Sequence, residues 1–186
     1  MDPKDQHLLK HRHEHFHPTE DMLVADEKDL CMLAVLGSQL PGPMTAFQVW
    51  SIAASVSSRQ LRRLLRFRNF FSRLLGGKAS RSFENNIEVN MQARPPKVGD
   101  TVLGLRVVEC NDHVLKLVTE DKLRKAMVYV AMSRDQLNAN VIISGIGKGK
   151  VGCAFMTLSG KVFEGPIVDH MVERFKNYGL TLTTRL

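Results

Sequence analysis

The sequence predicts an α+β protein: N-terminal helices, including a basic amphipathic helix, followed by a small antiparallel sheet with one packed helix. Three observations predict it. Apolar residues recur at helical spacing up to about residue 77, broken at Pro41-Gly42-Pro43 and stopped at Gly76-Gly77. From Val98 the pattern changes to short runs rich in valine and isoleucine, separated by turn residues. Between the two lies a polar stretch closed by Arg94-Pro95-Pro96-Lys97, which reads as a linker. The expected organisation is a histidine-rich tail over 1–20, a helical segment over 21–77, a linker over 78–97 and a β-rich module over 98–186.

The tail carries His7, His11, His13, His15 and His17 with few large apolar residues, a composition that predicts disorder. Neutral imidazole is a common metal ligand, but no cysteine or fixed scaffold accompanies these histidines, so no metal site is expected. A helix is predicted over Glu27–Leu40, capped by Asp26 and favoured by Asp29 at its positive end. Leu30, Leu33, Ala34 and Gly37 supply its spacing. Pro43 suits the start of a second helix running to about Ser57. Phe47, Trp50, Ile52, Ala54 and Val56 make that helix apolar enough to be core.

Gln60–Leu75 carries the most information. At 100° per residue, Leu64, Phe67, Phe70, Phe71, Leu74 and Leu75 share one apolar arc. Arg62, Arg66, Asn69 and Arg73 fall opposite, with Arg63 and Arg68 at the edges, where long side chains snorkel.

In the second half, strands are predicted at Thr101–Val108, Val114–Val118, Ala126–Met132 and Val141–Ile146. Turns fall at Asn111-Asp112, Glu120-Asp121 and Gly145 to Gly149. Val151–Leu158, the turn Ser159-Gly160 and Lys161–Phe163 read as a hairpin. Pro166–Tyr178 reads as an amphipathic helix with Ile167, Met171 and Phe175 on one face, and Leu180–Leu186 as a last strand.

Charge is unevenly placed. The formal net charge is +7, yet residues 1–57 carry four basic and eight acidic side chains, and residues 58–97 carry ten basic and two acidic. The positive field is thus concentrated between Arg59 and Arg81, which predicts an acidic partner surface. Candidate membrane- or nucleic-acid-binding residues are Arg59, Arg62, Arg63, Arg66, Arg68, Arg73, Lys78 and Arg81. Leu64, Phe67, Phe70, Phe71 and Leu74 are candidates for membrane insertion.

Other classes find little support. Cys31, Cys110 and Cys153 are far apart and odd in number, which gives no disulfide framework and no zinc knuckle. No Asn-X-Ser/Thr sequon occurs, and no apolar run reaches the roughly 18 residues of a membrane span. No secretory leader is expected, since the first apolar run begins near Met22 behind a polar stretch. Gly147-Lys148-Gly149-Lys150-Val151-Gly152 matches the GxGxxG spacing, but a dinucleotide site needs a helix directly after the glycines. A β-like run follows instead. The segment Gly145–Lys150 therefore reads as a flexible basic hairpin turn, with Lys148 and Lys150 as candidate phosphate contacts. Asp112-His113 and Asp169-His170 lack a nucleophile in matching context. No catalytic residue, cofactor or small-molecule substrate is expected.

One stretch has a family character. Ile146-Gly147-Lys148-Gly149 leads into Ala154-Phe155-Met156-Thr157-Leu158. Glu164-Gly165-Pro166-Ile167-Val168-Asp169-His170 then leads into Phe175-Lys176-Asn177-Tyr178-Gly179-Leu180-Thr181-Leu182. The order of strand, hairpin, proline at a helix start, Asp-His, helix and Gly-Leu strand resembles the end of rhabdovirus matrix proteins, in a divergent form. The resemblance implies a non-enzymatic structural protein of virion and host cytoplasm. It implies binding to the inner face of a membrane, self-association into a homo-oligomer, and binding to nucleocapsid or RNA during assembly and budding. Two other readings use the same residues. The arginine block suits a nucleic-acid-binding accessory protein, such as a silencing suppressor or movement protein. The rhythm of Val98-Gly99-Asp100-Thr101-Val102, Arg106-Val107-Val108 and His113-Val114-Leu115-Lys116-Leu117 suits a secretion-system scaffold β domain.

Overall fold

Among the described residues seven strands form one antiparallel sheet, and the segment ahead of α1 belongs to it. The computed structural model describes residues 17–54, 94–102, 104–157 and 181–185. In chain order the strands are β1 (Met32–Gln39), β2 (Thr101–Val102), β3 (Leu105–Cys110), β4 (Val114–Glu120), β5 (Arg124–Met132), β6 (Asn138–Gly147) and β7 (Thr181–Arg185). Across the sheet they stand in the order β2-β3-β4-β5-β6-β1-β7. Among the described residues the α-helices are α1 (Ala46–Ala54) and α2, which spans 149–157. Short 3-10 turns at Glu20–Met22 and Glu27–Asp29 precede β1. This is the α+β class that the sequence predicts, with helical turns and α1 ahead of most of the sheet and a helix packed after β6.

The alternation of side chains along each strand sorts the sheet into two faces. On one face Ala34, Leu36, Val107, Leu115, Leu117, Val128, Val130 and Val141 meet α1 in a single core. α1 is buried nearly all round, through Ala46, Val49, Trp50, Ile52, Ala53 and Ala54. A helix this apolar has no solvent face to offer. It opens with a capping box: Thr45 N–H donates to Gln48 Oε1 at 2.8 Å, and Gln48 N–H donates to Thr45 Oγ1 at 3.3 Å. On the opposite face Met127, Tyr129, Ile142 and Ser144 are also buried. The segment before β1 covers part of it: Val24 N–H donates to Ser144 Oγ at 3.0 Å, and Lys116 Nζ donates to the Asp21 carbonyl at 2.8 Å. Burial on both faces explains why the centres of β5 and β6 read as unbroken apolar runs.

Several expectations are corrected. Glu27–Leu40 is not a helix. Only Glu27–Asp29 makes a 3-10 turn; Asp26 sits at its N-cap without a side-chain capping bond and pairs with Lys28 at 3.4 Å. Met32–Gln39 is a strand matched to β6 from Met32↔Gly145 to Gln39↔Asn138. A short apolar run does not distinguish strand from buried helix by its spacing. Here the eight-position ladder with β6 decides. Thr101–Val108 is not one strand but two, β2 and β3, folded on each other through the pair Val102↔Leu105, with Gly104 at φ 77° in the turn. Val151–Leu158 is not the first strand of a hairpin, because 149–157 is helical, and Gly145 and Gly147 belong to β6 rather than to a flexible turn. The second helix starts at Ala46 rather than at Pro43.

Candidate functional site

At the end of the sheet where β4 turns into β5, the turn and the start of α2 lock together. Asp121 Oδ1 accepts the backbone N–H groups of Leu123 at 2.8 Å and Arg124 at 3.0 Å, so one short side chain closes the turn. The Leu123 carbonyl, held in place by this turn, accepts the N–H of Lys148 at 2.7 Å, directly before α2. α2 then passes so close that a Cβ on Gly152 would overlap the Leu123 carbonyl oxygen. A Cβ on Gly147 would overlap the Gly152–Cys153 peptide. Gly149, at φ 64°, supplies the left-handed residue at the corner between β6 and α2.

Of the three glycines of the GxGxxG spacing, Gly147 and Gly152 are therefore packing residues, and Gly149 serves the backbone turn. The sequence argument against a nucleotide site, that no helix follows them, is overturned, since α2 does follow. A different observation weighs against that site: every paired strand in the described residues is antiparallel, and no parallel βαβ unit is present among them.

Beneath this lock lies a buried ion pair. Arg124 Nε stands 3.5 Å from Asp121 Oδ2, with side chains 5% and 3% exposed, and the guanidinium sits 5.9 Å from the Phe155 ring centre on α2. The pair ties turn and helix together from inside, and Asp121 and Arg124 offset each other's charge.

Above it the surface is cationic. Lys148 Nζ pairs with Glu120 Oε1 at 2.6 Å. The Glu120 carboxyl is held below its ordinary range, first by the hydrogen bond and charge of Lys148, then by the charges of Lys125 and Arg106. Those three cations thus converge on one carboxylate. Strand register brings them there: Lys125 pairs across from Glu120, and Arg106 on β3 lies opposite Val118, two residues before Glu120. Lys122 in the turn and Lys150 in the first turn of α2 are exposed beside them. Val151, next to Lys150, is 57% exposed. The opposite end of the sheet carries the exposed acids Asp112 and Asp135, and Glu109 stands between the two ends, opposite Lys116.

Of the sequence-predicted contacts, Lys148 and Lys150 stand in this cluster, Lys148 already engaged by Glu120. Arg59, Arg62, Arg63, Arg66, Arg68, Arg73, Lys78 and Arg81 lie outside the described residues, as do Leu64, Phe67, Phe70, Phe71 and Leu74. So do the segments 78–93 and Pro166–Tyr178. Sequence reading missed Arg106, Lys122 and Lys125. Lys122-Leu123-Arg124-Lys125 beside the predicted Glu120-Asp121 turn was the available signal. Among the described residues no group of three His, Cys, Asp or Glu side chains could hold a metal ion. An open depression of about 500 Å³ between Phe47 and the Arg94–Lys97 segment has Arg94, Lys97 and Asp100 as its ionisable lining. No helix among the described residues is long and apolar enough to cross a membrane. Comparison with protein-family models, with curated proteins and with solved structures returns no match to this chain.

Proposed function

We propose that this chain is a non-enzymatic, matrix-like assembly protein that docks on anionic membrane through the cationic end of its sheet, together with the block Arg59–Arg81. The observation that carries the reading is the gathering of Arg106, Lys125 and Lys148 around a single carboxylate, with Lys122 and Lys150 exposed at their side. Anionic lipid rather than nucleic acid is favoured because apolar side chains accompany the cations. Val151 is exposed beside Lys150, and in the helix that the sequence predicts over Gln60–Leu75 the arginines stand opposite an apolar arc of Leu64, Phe67, Phe70, Phe71 and Leu74. Self-association and nucleocapsid contact belong to the same proposal and rest on the sequence resemblance over residues 146–182, in which α2 stands where the sequence predicts the first hairpin strand.

Flotation with liposomes tests it. Each lysine near an anionic leaflet contributes about 1 kcal/mol. Replacing Lys122, Lys148 and Lys150 by glutamine is therefore expected to weaken binding to phosphatidylserine vesicles roughly 100-fold at low salt. Neutral vesicles are expected to bind neither protein. Equal flotation of the variant would remove the cationic end from the site. Failure of the wild-type chain to float, with salt-sensitive RNA binding instead, would favour the nucleic-acid reading.

A further inference from the structure

Two of the three cysteines, 122 positions apart in sequence, are brought together at the same corner. Cys31, directly before β1, donates its N–H to the Gly145 carbonyl at 2.9 Å, extending the ladder with β6 by one bond. Cys153, on α2, turns its thiol to the Gly147 carbonyl at 3.4 Å. Both residues are thus anchored to the last three residues of β6. The missing Cβ of Gly147 lets the Cys153 backbone settle against the strand end. The Cys31 thiol is the first cause that pushes the Cys153 thiol above its ordinary pKa, through their hydrogen-bonding contact, with burial second. Cys153 is exposed, whereas Cys110 is partly buried against the core on the α1 face.

We infer that Cys31 and Cys153 form an intramolecular disulfide when the protein meets a low-molecular-weight disulfide such as oxidised glutathione. This inference does not depend on the membrane reading. The exposed Cys153 loses its proton to solvent and its thiolate attacks one sulfur of the oxidant. The oxidant's S–S bond breaks, and one glutathione leaves as thiolate and takes up a proton. Cys31, deprotonated in turn, attacks the Cys153 sulfur of the mixed disulfide and expels the second glutathione. Two protein thiols are oxidised and one disulfide is reduced to two thiols. Because Cys153 is held protonated, its thiolate is scarce at neutral pH, and the bridge forms faster as pH rises.

The bridge joins the start of β1 to α2 and closes a loop that includes α1 and β1 to β6. A link across so long a loop restricts the unfolded chain strongly, and a rise in Tm of about 5–10 °C is expected.

The test is incubation of the full chain, and of Cys110→Ala, with oxidised glutathione at mildly alkaline pH, followed by non-reducing peptide mapping and thermal unfolding. Expected is a monomer lighter by two hydrogens, a Cys31–Cys153 cross-linked peptide in both proteins, Cys110 still alkylatable in the wild type, and the raised Tm. Cys31→Ser is expected to stop at the glutathione adduct on Cys153. A stable glutathione adduct on wild-type Cys153 with no internal link would overturn the inference. So would a covalent dimer through Cys153, or three unreacted thiols. Mapping of the wild-type chain decides between these even if a variant fails to fold.

Discussion

The contact between Gly152 and the Leu123 carbonyl makes a prediction with a definite sign. Gly152→Ala would place a methyl group over that oxygen. The oxygen cannot swing aside, because Asp121 Oδ1 holds the N–H groups of Leu123 and Arg124 on the same turn. Either α2 moves outward or the turn is distorted. Overpacking of this kind costs about 1–3 kcal/mol. Losing the Lys148 N–H bond to Leu123 adds about 1 kcal/mol. Alanine in place of glycine inside a helix returns about 1 kcal/mol. The net expectation is a loss of about 1–3 kcal/mol, read as a lower urea midpoint at an unchanged slope. Gly42→Ala is the control: no atom lies within 4 Å of the added methyl, and its midpoint should hold within about 0.5 kcal/mol. A Gly152→Ala protein as stable as the wild type, or more stable, would refute the packing of α2 on the β4–β5 turn. More stable is what a residue in an exposed strand or free helix would give.

Arg124→Met leaves Asp121 buried beside an apolar chain and should cost about 3–5 kcal/mol, while the double variant with Asp121→Asn, which keeps an oxygen for the turn, should recover much of it; equal losses in the two would mean that the ion pair is not what Arg124 contributes. Glu120→Gln removes the one acid among the converging cations and should tighten binding to phosphatidylserine vesicles roughly fivefold, read by flotation at low salt. The Glu120–Lys148 pair also has a pH sign. The folded carboxyl titrates below its ordinary value of about 4.3, so any stability from the pair is present above that pH and lost as pH falls through the lower, folded value. Urea midpoints that fall on acidification by less in Glu120→Gln than in the wild type would match it. Asp112→Asn with Asp135→Asn adds two charges at the far end and should leave flotation at physiological salt unchanged; tightening equal to that of Glu120→Gln would show that only net charge matters.

The parts of the fold visible in the sequence are those decided locally. Val114–Val118, Ala126–Met132 and Val141–Ile146 fall within β4, β5 and β6, because each is a valine- or isoleucine-rich run between turn residues. The apolar helix around Trp50 is visible for the same reason. β1 and α2 are not local decisions. Met32–Gln39 has apolar residues at spacings that serve a helix or a strand equally well, and it becomes a strand because β6 offers a ladder about a hundred residues away. Residues 151–157 include Val151, Phe155 and Thr157, which favour strands, yet they coil. Gly149 turns the chain, and Gly152 and Met156, four apart, then fit against the Leu123 carbonyl and Gly145. The site divides in the same way. Lys148 and Lys150 are neighbours in sequence and could be picked out together. Arg106 and Lys125 join them only through the β3–β4–β5 register, which no linear motif encodes.

That register also determines what an anionic surface would meet. β5 runs nine residues from the cationic end toward the acidic one, and at about 3.3 Å per residue the two ends lie roughly 25–30 Å apart. Screening at physiological salt acts over about 8 Å. Asp112 and Asp135 are therefore about three screening lengths away from a surface touching Lys122, Lys148 and Lys150, and they do little to offset its attraction; Glu109, opposite Lys116, stands at an intermediate distance. Glu120 lies inside that distance and among the cations themselves, so it is the carboxylate that would offset their attraction most directly. A formal charge of +7 averages over all of these positions. What a membrane would experience is several cations held around Glu120 by a rigid sheet end, an exposed valine beside Lys150, and the exposed acids Asp26, Glu27 and Asp29 where the chain enters β1 at the same end. Such an arrangement would orient the protein as well as attract it, because among the described residues one end of the sheet presents it.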